Sequence, residues 1–92
     1  MNSDLIVQRL DEAIEAHRAE AVALSDWMAR HPELSGEEFE ATARMTKILA
    51  RAGFSIEQPY AGLATAFRAT LGDGSGPQAA ILVECDALPE MG

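Results

Sequence analysis

The first third of the chain has the hydrophobic spacing of an amphipathic helix. Apolar side chains recur at intervals of three, four or seven residues, as they do along one face of a helix. They are Ile6, Leu10, Ile14, Ala21, Leu24 and Trp27 or Met28. Asn2 and Ser3 can cap a helix that begins at Asp4, and Pro32 ends it near Arg30. We therefore predict a first helix whose apolar stripe is buried and whose charged face is solvated.

A second helix is predicted to follow from Ser35. Ser35 and Glu38 have the spacing of a capping box, in which each side chain accepts a backbone N–H at the start of a helix. Its inner side is predicted to consist of Phe39, Ala43, Thr46 and Ala50, flanked by Thr42, Ile48 and Leu49. Gly53 can end the helix because glycine adopts the left-handed conformation without a steric penalty.

After Gly53 the hydrophobic period changes from helical to alternating. Phe54–Gln58 and Ala64–Leu71 alternate apolar and polar residues, which predicts two strands. The glycines of Gly72–Pro77 indicate a hairpin turn, and the apolar run Ala79–Val83 predicts a third, central strand. Two helices followed by three strands suit the opening of a layered α/β domain.

Charge and composition indicate which classes of binding partner are excluded and in which compartment the protein is expected. The net charge is −8, and residues 1–40 hold ten of the fifteen acidic residues. An acidic surface argues against binding to nucleic acid or to an anionic membrane, because both depend on Lys and Arg. The single cysteine cannot form an internal disulfide, and Ala79–Val83, the longest apolar run, is too short to span a bilayer. With no export signal at the start, a cytoplasmic protein is expected.

Few residues are candidates for chemistry. Gly72–Gly76 lacks the Lys-Ser/Thr pair of a phosphate-binding loop, so a turn is the better interpretation. His17 has no metal-ligand partner at helical spacing, which favours a surface histidine, and His31 is better explained as a helix-end residue. Cys85, at the end of an apolar strand, is interpreted as a small buried hydrophobe.

Asp86 is the one residue for which a functional role stays open. It directly follows the predicted third strand, and the carboxyl edge of an α/β sheet is where such proteins place their sites. A carboxylate there could orient a metal-bound imidazole from behind. Capping of the next loop is the alternative, and the spacing does not separate the two.

Four stretches, in order along the chain, carry a resemblance to a known family. They are His31–Ser35 followed by Glu37–Phe39, Ala52–Phe54, Gly62–Phe67 and Ile81–Gly92. Together they resemble the zinc amidohydrolase/carboxypeptidase family, which includes aminoacylases and hippurate hydrolases. The most similar branch is that of the aminobenzoyl-glutamate hydrolase B subunit and related dipeptidases, which carry Glu-Tyr-Asp-Ala-Leu-Pro where this chain has Glu84–Pro89.

The resemblance implies a fold and also implies where the functional residues lie along a longer chain. Residues 1–92 would be the N-terminal part, two helices then three strands, of a zinc-exopeptidase-like three-layer domain. Asp86 falls on the aspartate that supports the metal site, whereas Cys85 departs from the usual Tyr or Met and is not the metal-ligating cysteine. That cysteine belongs to a Gly-His-Ala-Cys-Gly-His segment expected at or just after Gly92, and the catalytic glutamate lies further on.

The activity implied is that of a metal-dependent amidohydrolase or dipeptidase. The complete relative would use zinc or manganese to cleave N-acyl amino acids, aminobenzoyl-glutamate-like conjugates or small dipeptides, and would form a homodimer through a domain absent here. The 92 residues alone are expected to bind no metal and to be inactive. The alternative is a free-standing small α/β module for binding or oligomerisation, and the sequence after Gly92 would separate the two.

Overall fold

The computed structural model describes residues 3–89, and the chain divides between His31 and Pro32 into two compact units. The first unit is a single helix with its terminal histidine. The second contains one helix, two short strands and the segment that carries Asp86. Within residues 3–89, neither helix has the length and apolar character needed to cross a bilayer.

Helix α1 spans Ser3–Arg30, with the end that the sequence predicted. Ser3 lies within the helix and not before it, and the other predicted capping residue, Asn2, lies outside the described residues. Asp4 lies in its first turn and Arg30 in its last, where each charge complements the helix dipole. The predicted burial of the stripe is wrong for its first half, since Leu10 and Ile14 are each 57% exposed and no residue of the helix is buried. A helical period identifies the apolar face of a helix, but it does not establish that anything covers that face.

The two histidines take the positions that the sequence indicated. His17 lies on the surface of α1, with its Nδ1 4.0 Å from a carboxylate oxygen of Glu20. His31 follows the last turn, where its Nδ1 lies 2.8 Å from the carbonyl oxygen of Trp27 and its ring stacks on the indole at 4.5 Å. His31 therefore ends the helix by satisfying a terminal carbonyl, an ordinary role for histidine at this place.

Helix α2 spans Phe39–Arg51, and the predicted capping box does not form. Glu38 occupies the N-cap position without a side-chain cap hydrogen bond. Ser35 lies instead in a turn from Leu34 to Glu37, in which the Glu37 N–H donates to the Leu34 carbonyl at 2.9 Å. Gly36 takes the positive φ of +82° in this turn. Because the helix begins four residues after Ser35, the serine hydroxyl is not at the cap position.

The buried face of α2 is rotated from the predicted one. Ala41 and Thr42 are buried, and Met45, Ile48 and Leu49 are half-buried, whereas Phe39 is 60% exposed. Thr42, Ile48 and Leu49 were predicted only as flanking residues. The C-terminal end agrees with prediction: Gly53 has φ +101°, and Phe54 donates its N–H to the Leu49 carbonyl at 3.1 Å.

Two strands form, each shorter than predicted. Strand β1, Ser55–Glu57, pairs antiparallel with strand β2, Arg68–Thr70. Ile56 lies opposite Ala69, and both are half-buried while their neighbours on each strand are exposed. The alternation of apolar and polar residues therefore identified the centre and the inward face of each strand correctly.

The predicted third strand at Ala79–Val83 is absent from the structure. Its backbone joins no ladder, and Ile81 and Leu82 are 89% and 97% exposed. A strand exists only where a neighbour takes up its backbone groups, and within residues 3–89 the two strands pair with each other. Gly72–Pro77 contains bends and does not form the predicted hairpin turn, because no strand follows it within residues 3–89. Mixed α/β structure is confirmed; a three-stranded sheet is not.

Candidate functional site around Asp86

Asp86 lies next to a parallel bridge between two segments far apart in the sequence. Leu34 and Ala87 form this bridge, and the Ala87 N–H donates to the Glu33 carbonyl at 2.7 Å. Asp86 itself is exposed. The prediction that it follows a sheet strand is wrong, because the residues before it are unpaired. The structure instead holds it beside the turn that leads into α2.

Glu33 fulfils the capping role that the sequence gave to Ser35. Its carboxylate accepts the backbone N–H of Ala41 at 2.7 Å and that of Glu40 at 3.0 Å. Both amides belong to the first turn of α2, which leaves such donors without partners inside the helix. A carboxylate there also complements the positive end of the helix dipole. Spacing could not indicate this cap, because Glu33 lies well before the helix.

A second group of polar side chains joins α2 to the chain between the strands. The Thr65 hydroxyl donates to Glu38 Oε1 at 2.9 Å, and the Thr42 hydroxyl donates to the Glu38 carbonyl at 2.7 Å. Gln58 donates through Nε2 to the Thr42 hydroxyl at 3.2 Å and to the Thr65 carbonyl at 3.3 Å. Thr42 and Thr65 are buried, so these bonds satisfy groups that water cannot reach.

The charge of Glu38 is stabilised within this group. Burial alone would raise the pKa of the carboxyl, but hydrogen bonds outweigh it and the net pKa is lowered. The donors are the Glu38 backbone, the Thr65 hydroxyl and the backbone at Gly36 and Glu37. Glu38 is thus ionised and holds Thr65 by a hydrogen bond. A general acid at neutral pH needs a raised pKa, so the lowered pKa of Glu38 does not suit that role.

Cys85, directly before Asp86, packs against α2. Its Sγ lies 3.2 Å from Met45 Sδ, and the side chain is half-buried. Burial is the main cause that raises the pKa of the thiol, and the nearby carboxylates of Glu38, Asp86 and Glu33 add to it. The thiol is held in its neutral form, which agrees with the interpretation of Cys85 as a small hydrophobe rather than a nucleophile.

The three carboxylates around Cys85 do not amount to a metal centre. Within residues 3–89, no three His, Cys, Asp or Glu side chains converge closely enough to hold a metal ion. What the arrangement provides is a fixed position for one exposed carboxylate, Asp86, beside a neutral thiol and two carboxylates already engaged in hydrogen bonds.

Comparison with curated proteins gives relatives of one chemical kind. The chain is 36% identical over 83 residues to the B subunit of the p-aminobenzoyl-glutamate hydrolase of Escherichia coli (strain K12), an alignment of 90% of this chain. It is 39% identical over 95 residues to the Xaa-Arg dipeptidase of Mus musculus, covering 92% of this chain. The chain belongs to the amidohydrolase/peptidase family.

A further member of the amidohydrolase/peptidase family, the N-acetyl-L-cysteine deacetylase of Bacillus subtilis (strain 168), is 42% identical over 60 residues, or 65% of this chain. The chain spans 17%, 21% and 14% of the lengths of these three relatives, in the order given. No family model matches the chain, and no solved structure gives a significant match. The resemblance inferred from the four sequence stretches is confirmed.

The electrostatic environment of Cys85 predicts its reactivity. Glu38→Gln removes a negative charge near the thiol while keeping an oxygen for Thr65, so the pKa of Cys85 should fall and more thiolate should be present at pH 8. We expect alkylation by iodoacetamide at pH 8 to accelerate about two- to fivefold, a modest factor for one partly solvated charge.

Glu37→Gln is the matched control, because it removes the same charge from an exposed position in the preceding turn. Its alkylation rate should equal that of the unaltered chain. Equal rates for the Glu38 and Glu37 variants across pH 7 to 10 would show that the carboxylate of Glu38 does not act on the thiol.

Proposed function

We propose that the chain is the N-terminal segment of a metal-dependent amidohydrolase or dipeptidase. Its substrates are N-acyl amino acids, aminobenzoyl-glutamate-like conjugates or small dipeptides. The observation that carries the proposal is the similarity to three hydrolases at 36–42% identity, over 65–92% of this chain. The names of those relatives describe a hydrolase of an aminobenzoyl-glutamate conjugate, a dipeptidase and a deacetylase of an N-acetyl amino acid.

No three potential metal ligands converge within residues 3–89. We propose that the ligands of the zinc or manganese ion and the catalytic glutamate lie in residues outside this chain, as the family resemblance implies. The contribution proposed for the chain is Asp86, whose exposed carboxylate can accept the second N–H of a metal-bound imidazole and fix the orientation of that ring. The chain alone is then inactive.

The nature of the partners follows from the same proposal. The substrate is a small molecule, and the acidic balance of the chain gives no support for nucleic acid or an anionic membrane as a partner. A cytoplasmic location and a homodimer formed through a further domain complete the proposal.

Hydrolysis assays test the proposal on two proteins, the 92-residue chain and a longer protein that begins with it. Aminobenzoyl-glutamate, N-acetyl amino acids and Xaa-Arg dipeptides are the substrates. The longer protein should cleave at least one of these classes, lose activity on dialysis against a chelator and regain it with zinc or manganese. The 92-residue chain should hold far less than one metal ion per chain by elemental analysis.

Two results would contradict the proposal. Activity of the longer protein that survives complete removal of metal would exclude metal-dependent hydrolysis. A stoichiometric metal ion on the 92-residue chain would show that the chain carries a ligand set of its own and is a different kind of module.

A further inference from the structure

We propose that Glu33 is a positioning residue, which fixes the place of Asp86 relative to helix α2. The proposal rests on the proposed role of Asp86 in supporting the metal site. Glu33 caps α2 with its side chain and holds the residue after Asp86 with its backbone carbonyl. In the sequence, Glu33 belongs to one of the stretches that resemble the family, and no individual role was predicted for it.

The side chain of Glu33 is held against the start of helix α2. The two carboxylate oxygens of Glu33 accept separate amides, Oε1 from Ala41 at 2.7 Å and Oε2 from Glu40 at 3.0 Å. Two hydrogen bonds accepted by one planar carboxylate determine its orientation as well as its distance. Ala41 is only 2% exposed, so the Glu33 carboxylate is bonded to the most buried part of the helix.

The backbone of Glu33 is bonded to the segment that carries Asp86. The Glu33 carbonyl accepts the Ala87 N–H at 2.7 Å, and the neighbouring Leu34 forms the parallel bridge with Ala87. Ala87 is half-buried, whereas Asp86 is exposed on the other side of the extended chain. This alternation points the Asp86 side chain away from the anchored side, because successive side chains of an extended segment face opposite ways.

The side-chain and backbone hydrogen bonds of Glu33 together connect helix α2 to Ala87. The chain between Glu33 and α2 is a short turn closed by the Glu37 N–H and the Leu34 carbonyl at 2.9 Å, so it has little freedom to move independently. A shift of the Glu33 backbone would displace Ala87, and Asp86 with it. A supporting carboxylate must be held to a fraction of an ångström for its partner ring to keep its orientation.

The decisive variant is Glu33→Ala, because it leaves the carbonyl that binds Ala87 in place and removes only the carboxylate. Amide hydrogen exchange of the 92-residue chain is the measurement. If the carboxylate holds that carbonyl in position, exchange should rise about fivefold or more at Glu40, Ala41 and Ala87 together, the effect expected for loss of a helix cap. The amides of the β1–β2 ladder should change by less than about twofold.

Glu33→Gln and Glu37→Ala calibrate this result. Glu33→Gln keeps one acceptor oxygen and should give a smaller increase at the same three amides, and Glu37→Ala, an exposed acid of the same turn, should give none. Alkylation of Cys85 is a second readout that does not depend on exchange: Glu33→Ala should expose the thiol from its contact with Met45 and accelerate labelling well beyond the effect of Glu33→Gln.

Unchanged exchange at Ala87, with increases at Glu40 and Ala41, would overturn the inference and leave Glu33 as a helix cap alone. An equal increase across the β1–β2 ladder would also overturn it, because the substitution would then destabilise the whole unit. Neither result needs metal or activity. Failure of the inference is therefore distinguishable from failure of the proposed function, which would appear as metal-independent activity of the longer protein, and from failure of the proposed role of Asp86, which would appear as normal metal content and turnover in Asp86→Asn.

Discussion

Asp86→Asn is expected to lower metal affinity or turnover about 10- to 100-fold in a longer enzyme that contains this chain. Asparagine has almost the same size as aspartate, so the bridge at Ala87 and the fold around it should remain intact. The amide lacks the negative charge that makes an imidazole ligand more basic, and its NH₂ group can face the ring N–H with no acceptor to offer. The loss should appear in metal titrations as well as in hydrolysis rates.

Glu84→Gln provides the comparison, because Glu84 is an exposed acid two residues earlier in the same segment. It should leave both metal affinity and turnover within about twofold of the unaltered enzyme, as expected for a surface substitution. Normal turnover and metal content in Asp86→Asn would show that the aspartate only caps its loop.

Thr65→Val is expected to destabilise the second unit by about 1 to 2 kcal/mol at pH 7, the range for a hydrogen bond to a charged group that is partly solvated. Valine fills nearly the same volume as threonine but cannot donate to Glu38, whose carboxylate accepts the Thr65 hydroxyl at 2.9 Å. Because Thr65 is buried, water cannot replace the lost donor from that side. Urea unfolding followed by circular dichroism measures the difference.

The pH dependence of this loss identifies its cause. The pKa of Glu38 is lower in the folded chain than its ordinary value of 4.5, so its stabilising effect is complete above that value. It is lost as the pH falls through the lowered pKa of the folded state. The difference between Thr65→Val and the unaltered chain should therefore shrink between pH 5 and pH 3.

Thr70→Val, at an exposed position of β2, is the control. It should change the unfolding free energy by less than about 0.5 kcal/mol at pH 7 and at pH 3. A loss in Thr65→Val that is the same at pH 7 and pH 3 would assign the effect to packing of the side chain and not to the charge of Glu38.

The features that sequence predicted well depend on residues close together in the chain. The limits of α1, the capping role of His31 and the end of α2 at Gly53 follow from helical period and from local carbonyl groups. The centres of β1 and β2 follow from alternation, which is also local. For these elements, neighbours within about four residues carry most of the information.

The features that sequence missed depend on distant partners. A strand at Ala79–Val83 needs a neighbouring strand, and an apolar run cannot show whether one is present. The cap from Glu33 to α2 requires the intervening turn to fold back, and the Gln58 contacts with Thr42 and Thr65 join separate elements. Asp86 was proposed from the sequence as a site residue, and that prediction stays open, but its surroundings could not be predicted because the bridge at Ala87 joins segments far apart in the sequence.

The parallel bridge between Leu34 and Ala87 also has a consequence for the order of folding. It joins residues more than fifty positions apart, and α2, β1 and β2 all lie between them. Closing such a long loop costs more chain entropy than forming the helix or pairing the two strands. The backbone hydrogen bond that closes it runs from the Ala87 N–H to the Glu33 carbonyl. The segment that carries Asp86 should therefore dock last as the unit folds and be the first to detach when it opens.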